Sequence, residues 1–308
     1  MEKEKIFISY GNLITDYIYS EENNGNLTLL KQDGGGCEWN DLYNLAKMGE
    51  TCYAIASRGN DEAGIIAENS LKNAGVITKY IHVDNQQSTN IMNIIIPKEN
   101  TNDDNSIIHS WYSPITNECT MNFNNNLSTT LPEKLNEKEL YIILDKFYVK
   151  HLEFIKNIKS PKTICLDIGH TRFIEHFSKK YLLEFFSQAS FIQLNNNVLN
   201  LVLERLNVNN LEELFELLDL DLLVLTEGKK GATYVFKENN KIKTLKLEPK
   251  LITIAIDTSG AGDAFFSKTI KDYAYINGPI TEKFIKNSFA NANETAKKVL
   301  KNIGSRIN

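Results

Sequence analysis

Short apolar runs alternate with segments whose apolar positions recur every three or four residues, and this alternation continues along most of the chain. A period of two or a short unbroken apolar run reads as strand, and the longer period reads as helix. The sequence therefore predicts strand, helix, strand units around a mainly parallel sheet, an α/β fold. Strands are expected at Ile6 to Tyr10, Cys52 to Ala56, Tyr141 to Leu144, Thr163 to Asp167, Phe191 to Leu194 and Leu222 to Thr226. Each is short and rich in apolar residues, as a strand covered on both faces should be.

Trp39, Leu42, Leu45 and Ala46 fall at helical spacing, and Gly49 is placed to end that helix. Ala63 to Ala74 followed by Gly75 repeats the pattern, and further helices are expected at 149–158, 179–187, 211–218, 262–276 and 282–301. Two regions, 15–33 and 87–113, contain strand-like pieces with no helix between them, so they are expected to form a small β lid. The asparagine-rich pieces at 100–105 and 122–126 read as loops, because asparagine tolerates turn geometry.

Composition adds exclusions. A chain of 308 residues, 42% hydrophobic and 24% charged with 6 prolines, has the profile of a globular protein of one large or two smaller domains. With 34 basic and 39 acidic residues the net charge is −5, and no basic stripe is present, so no nucleic-acid partner is expected. Apolar stretches such as 220–225 are far short of the roughly 20 residues a membrane helix requires, so no membrane partner is expected. The charged start, Met1-Glu2-Lys3-Glu4-Lys5, does not read as a signal peptide. Cys37, Cys52, Cys119 and Cys165 form no C-x-x-C pair and the five histidines form no ligand set, which fits a reducing cytoplasm.

The most informative segment is Ile256-Asp257-Thr258-Ser259-Gly260-Ala261-Gly262-Asp263-Ala264-Phe265-Phe266, where a strand-like run meets a turn of small residues and then an amphipathic helix. Glycines allow close backbone approach, and the N–H groups and dipole of a first helical turn favour an anion. Asp263 in that turn could accept a proton from an attacking hydroxyl while N–H groups hold a phosphate, or it could simply stabilise the helix dipole. The segment matches neither G-x-x-x-x-G-K-[ST] nor G-x-G-x-x-G, which disfavours a nicotinamide dehydrogenase.

This segment resembles the D-T-x-G-A-G-D signature of the PfkB/ribokinase carbohydrate kinases at every fixed position. The resemblance implies a single ribokinase-like domain over 1–308, a three-layer α/β/α fold with a β lid, and ATP with Mg²⁺ as cosubstrates. It makes Asp263 the catalytic base and the backbone of Gly260, Ala261 and Gly262 the anion hole. The positions matching Asp257 and Ser259 lie in a monovalent-cation site in some members, which makes K⁺ a candidate activator.

Other segments extend the resemblance from Ile6 to Gly304. Gly35-Gly36-Cys37-Glu38-Trp39-Asn40 is similar to the family's G-G-x-x-x-N, so Gly36 and Asn40 are implied to contact sugar hydroxyls. Asp16 matches a substrate-binding aspartate at the end of the first strand, while Ile14 replaces an asparagine of ribokinase and, with Trp39 nearby, argues against simple ribose. Arg58-Gly59-Asn60-Asp61-Glu62-Ala63-Gly64 resembles a structural G-x-D-x-x-G turn.

Thr226-Glu227-Gly228-Lys229-Lys230-Gly231 resembles the T-x-G-x-x-G nucleotide loop, which assigns Thr226, Gly228 and Gly231 to ATP, although a plain β-turn would read the same way. Asn293 is implied at the adenine and Asn195 at the phosphates. There the family's N-x-x-E becomes Asn195-Asn196-Asn197-Val198, without its glutamate.

The expected activity is phosphoryl transfer from ATP to a hydroxyl of a sugar or sugar derivative. A nucleoside kinase is the alternative within the same chemistry, and a non-catalytic ligand-binding protein, suggested by Val198, is the alternative outside it. Open lid strands need cover, which makes a homodimer through the lid the expected assembly.

Overall fold

The computed structural model describes residues 4–22, 25–97, 107–121, 127–136, 138–249, 258–301 and 303–307. The chain divides into two compact units, one made of residues 8–128, 253–264 and 295–308 and the other of 1–7, 129–252 and 265–294. The first carries most of β1 (Lys5–Asn12), then β2 (Ile14–Glu21), β3 (Leu27–Gly35), α1 (Cys37–Lys47), β4 (Cys52–Gly59), α2 (Glu62–Ala74), β5 (Ile77–Asp84), β6 (Asn90–Ile96) and β7 (Ile108–Ser110). The second carries β8 (Glu139–Leu144), α3 (Val149–Asn157), β9 (Lys162–Ile168), α4 (Thr171–His176), α5 (Lys179–Phe186), β10 (Phe191–Asn195), α6 (Asn196–Leu206), α7 (Leu211–Leu217), β11 (Leu222–Thr226), β12 (Ala232–Glu238) and β13 (Lys241–Leu247). The last helices, α8 (Ala261–Ala274) and α9 (Glu282–Val299), have residues in both units.

Nine strands form the larger sheet in the order β13-β12-β11-β10-β9-β8-β1-β4-β5. The pairs β8/β9, β9/β10, β10/β11 and β4/β5 are parallel, and β12 and β13 close one edge antiparallel. The fold is thus the α/β class expected from the alternating pattern, with helices flanking a mainly parallel sheet. The six expected strands are all present, extended by zero to three residues at their ends.

The smaller sheet, β3-β2-β6-β7, covers the two regions without helical periodicity and extends beyond 15–33 by one residue at the start and two at the end. It combines antiparallel β2/β3 with parallel β2/β6. Leu29, Leu30 and Ile108 on it are exposed.

Local chemistry explains several junctions. Gly36 caps α1 at φ 87°, where a Cβ would stand 2.8 Å from Ile14 Cδ1. Trp39 is fully buried and its indole N–H donates to Asn12 O at 2.8 Å, so this ring belongs to the core. Asp61 caps α2, its Oδ1 accepting from Gly64 N at 2.8 Å and its Oδ2 from Thr89 N at 2.7 Å. Gly75 ends that helix in the left-handed conformation at φ 96°.

Candidate active site

The turn from β3 into α1, the strand β2, the start of α8 and the chain after Gly304 meet within one unit. Asp16 lies on β2, paired in register with Asp33 on β3. Asn40 lies one turn into α1, its N–H donating to Gly36 O at 2.8 Å. Asp263 lies in the first turn of α8, a helix opened by the left-handed Gly260 at φ 73°. Asp16, Asn40 and Asp263 are all at least nine-tenths buried.

Asn40 and Asp263 are separated by 223 residues of sequence and joined by a 2.7 Å hydrogen bond from Asn40 Nδ2 to Asp263 Oδ2. The other end of the Asn40 amide accepts from Arg306 Nε at 2.9 Å. Arg306 Nη1 also donates to Ser70 Oγ at 2.5 Å and stands 3.8 Å from Asp33 Oδ1, and its guanidinium lies 4.7 Å from the centre of the Tyr43 ring. Ser305 Oγ donates to Asp16 Oδ2 at 3.4 Å.

Asp16, Asp263 and Arg306 are buried in one region with the half-buried Asp33 at its edge, and the titration of Asp16, Asp33 and Arg306 reflects it. Burial pushes Asp16 up to about 7; Arg306 opposes this, and the charges of Asp263 and Asp33 add to it. Burial raises Asp33 as well, but Arg306 and hydrogen bonds from Ser70 and Lys31 outweigh it and hold Asp33 below the ordinary carboxylate range. Burial lowers Arg306, with Asp33, Asp16, Tyr43 and Asp263 pulling the other way.

The glycines of the site differ in how closely they are packed. A Cβ on Gly35 would lie 1.8 Å from Asp16 Oδ1, and one on Gly260 would lie 2.1 Å from Ser305 O. Gly262 has open space in the same test. Ala261 and Gly262 stand at the opening of α8, where Ala264 N donates to Gly260 O at 2.9 Å. Ser259 is buried, whereas Asp257 lies outside the described residues.

The residues expected at the nucleotide occupy the other unit. Asn195 and Thr226 are register partners at the carboxyl ends of the parallel strands β10 and β11, where open α/β sheets place their ligands. Asn195 Oδ1 caps α6, accepting from Asn197 N at 3.0 Å and Val198 N at 3.3 Å, and its Nδ2 donates to Gly169 O at 3.1 Å. Val198, where the family pattern has glutamate, is buried in the core. Gly228 opens a 3₁₀ turn at φ 57°. Gly231 has φ 97° and a Cβ there would stand 2.0 Å from Leu247 O, so packing in the β12/β13 ladder by itself demands glycine. Asn293 is half-buried on α9.

Sequence reasoning passed over Arg306, Ser305 and Asp33. Nothing in Gly304-Ser305-Arg306-Ile307 marks an arginine as buried. Its one signal is the left-handed Gly304 at φ 105°, a turn that brings the tail back to α1, where Ile307 N donates to Asn44 Oδ1 at 3.1 Å.

Comparison with known proteins agrees with this architecture. A ribokinase of Dictyostelium discoideum is 25% identical over 265 residues, covering 83% of this chain and 81% of the relative. Among solved structures, a nucleoside kinase of Methanocaldococcus jannaschii superposes with a TM-score of 0.71 at 18% identity, over 99% of this chain and 95% of the other. A fructokinase of Vibrio cholerae, bound to fructose, ADP and calcium, gives 0.70 at 15% identity, over 98% and 94%. The family model described as pfkB family carbohydrate kinase matches residues 6–308, and the chain therefore belongs to that family of carbohydrate kinases.

Proposed function

We propose that this kinase transfers the γ-phosphate of ATP to a hydroxyl of a sugar or sugar-like compound, with Asp263 as the base. The observation that carries the reading is the buried 2.7 Å contact between Asn40 and Asp263, which unites the G-G-x-x-x-N segment with the D-T-x-G-A-G-D segment. In the step, Asp263 takes the proton of the attacking hydroxyl as its oxygen bonds to the γ-phosphorus, and the bond to the β-phosphate oxygen breaks to release ADP. The backbone of Gly260, Ala261 and Gly262, at a helix N-terminus, would offset charge on the phosphoryl group in flight.

Asp16, Asn40 and the backbone at Gly36 would hold the substrate's other hydroxyls, since a carboxylate accepts and an amide does both. The four-stranded sheet would act as the lid that excludes water, without which ATP would be hydrolysed. A second copy covering Leu29, Leu30 and Ile108 is the proposed dimer contact.

On the nucleotide side, Asn195, Thr226, Gly228, Gly231 and Asn293 are the proposed ATP residues. Mg²⁺ requires only one or two carboxylates plus phosphate oxygens. Asp167, buried near the carboxyl end of β9 and in register with Gln193, whose Nε2 lies 3.3 Å from its Oδ1, would supply one such carboxylate. Bound there, Mg²⁺ would supply positive charge to the phosphates. K⁺ near Ser259 is a further proposal, read by exchanging K⁺ for a large organic cation in the assay. A cytoplasmic setting is the proposed location.

Solved relatives of similar fold include the Vibrio fructokinase with fructose bound and an aminoimidazole riboside kinase of Salmonella enterica with its riboside, so a nucleoside acceptor belongs in any test. Val198 favours the competing reading of a ligand binder without turnover. ADP release with ATP, Mg²⁺ and K⁺ against sugars, sugar derivatives and nucleosides decides between them. Substrate-dependent release lost in Asp263→Asn supports the kinase; equal release by that variant overturns Asp263 as base.

A further inference from the structure

Arg306 belongs to none of the motifs that identify the site, yet it is 6% exposed and lies among their side chains. Arginine has only donors, so the atom of Asn40 that faces Arg306 Nε at 2.9 Å must be the amide oxygen. That leaves the Asn40 NH₂ group to face the other way, and it does so 2.7 Å from Asp263 Oδ2. The direction of the amide is therefore set by Arg306.

Arg306 is itself held firmly. Its Nη1 donates to Ser70 Oγ, and Ser70 donates onward to Asp33 Oδ1 at 2.6 Å. Its planar face covers Tyr43, one turn along α1 from Asn40, and the next residue is tied to Asn44. A buried arginine beside these aspartates opposes their protonation: at Asp33 it helps outweigh burial, and at Asp16 it offsets burial in part.

We infer that Arg306 is a positioning residue for the base: through Asn40 it fixes the orientation of the Asp263 carboxylate. This rests on the reading of Asp263 as the base. Without Arg306 the amide is free to turn its oxygen toward the carboxylate, and Asp263 loses the Asn40 donor and a neighbouring cation. Among the described residues, the charged and titratable groups coupled to the relay include Asp16 on β2, Asp33 and Lys31 on β3, Tyr43 on α1 and Arg306 on the tail. Of these, only Arg306 bridges to Asp263 through the Asn40 amide.

The test is a double-mutant cycle. Arg306→Met should lower kcat by about tenfold or more, the scale of a misplaced catalytic group. In an Asn40→Ala background the same change should add less than about twofold, since the two residues act as one unit. Removing the cation should also move the acidic limb of the kcat–pH profile upward. Arg306→Lys, which keeps charge but not the fork, should leave that limb in place while kcat still falls. Arg306 Nη2 has no hydrogen-bond partner, so a change in KM alone would mean that it holds substrate directly and would overturn the relay. Additive losses in the cycle would overturn it too.

A readout without turnover separates this inference from the kinase reading. The carboxyl titration of Asp263, followed by ¹³C NMR and assigned with Asp263→Asn, should move up by about one unit in Arg306→Met. An unchanged titration overturns the relay even if the enzyme is an active kinase. A shifted titration with no turnover on any acceptor sustains the relay while the kinase reading fails. If Arg306→Met does not fold, Arg306→Lys in the cycle with Asn40→Ala decides alone: a loss repeated in full on that background overturns the relay.

Discussion

Asp16 lies across Gly35 so closely that a methyl group on that glycine would sit 1.8 Å from the Asp16 Oδ1. The carboxylate and the glycine turn that leads into α1 are therefore one fitted surface. The three nearest atoms a methyl group would meet all belong to the end of the Asp16 side chain, which can turn aside without moving the backbone. Gly35→Ala should keep the fold, cost about 1–3 kcal/mol of stability and displace the carboxylate. Because Asp16 is proposed to hold substrate hydroxyls, the loss should appear mainly as a raised KM for the acceptor, with KM for ATP unchanged. Steady-state kinetics with each substrate varied checks this.

The raised pKa of Asp16 has a consequence for stability. The group titrates near 3.8 when unfolded and at about 7 in the fold, because burial disfavours its charge. Between those values the folded protein holds a proton that the unfolded chain has released, so this residue's contribution to stability falls as pH rises through the window. Asp16→Asn, which stays neutral, should remove that decline and be more stable than the wild type at pH 8. Denaturant melts at several pH values measure it, and parallel pH dependences in the two proteins would contradict the burial argument.

Asp263→Asn retains an oxygen that can accept from Asn40, so the hydrogen bond at 2.7 Å has a replacement and the fold should persist. What the variant lacks is a group that can take a proton. Turnover should drop by about 10²–10⁴-fold, the usual contribution of a general base, while ATP binding by calorimetry stays near the wild-type value.

The part of the molecule legible in the sequence is the part written in local pattern. The strands β8 to β11 are apolar runs buried on both faces, and α2 announces itself by Asp61 at its start and Gly75 at its end. Helix α6 escaped notice because Asn195-Asn196-Asn197 reads as a loop, although Asn195 uses its side-chain oxygen to cap the helix. The antiparallel edge is only partly legible: β13 alternates charged and apolar residues, whereas β12 carries a buried apolar run, Tyr234-Val235-Phe236, like the central strands. Asp263, Asn40 and Asp16 were found through motif resemblance. Their contacts were not, since no local rule places Arg306 beside Asn40 across 266 positions of chain.

Gly260 and Gly262 look equivalent in the sequence, two glycines framing one alanine, but their surroundings separate them. At Gly260 an alanine would need a left-handed backbone at φ 73° and would meet Ser305 O at 2.1 Å and Ser305 Cα at 2.4 Å, atoms of main chain that cannot rotate away. Gly260→Ala should therefore push the tail off the site, loosening Arg306 from Asn40, and lower both the melting temperature and kcat. At Gly262 a Cβ meets nothing within 4 Å, so Gly262→Ala should melt at or slightly above the wild-type temperature, as a helix position gains from alanine. If phosphate oxygens approach the α8 backbone there, that stable variant should still lose kcat, because its new methyl group occupies their space. Normal kcat in Gly262→Ala would confine the anion-binding role to the N–H groups preceding it.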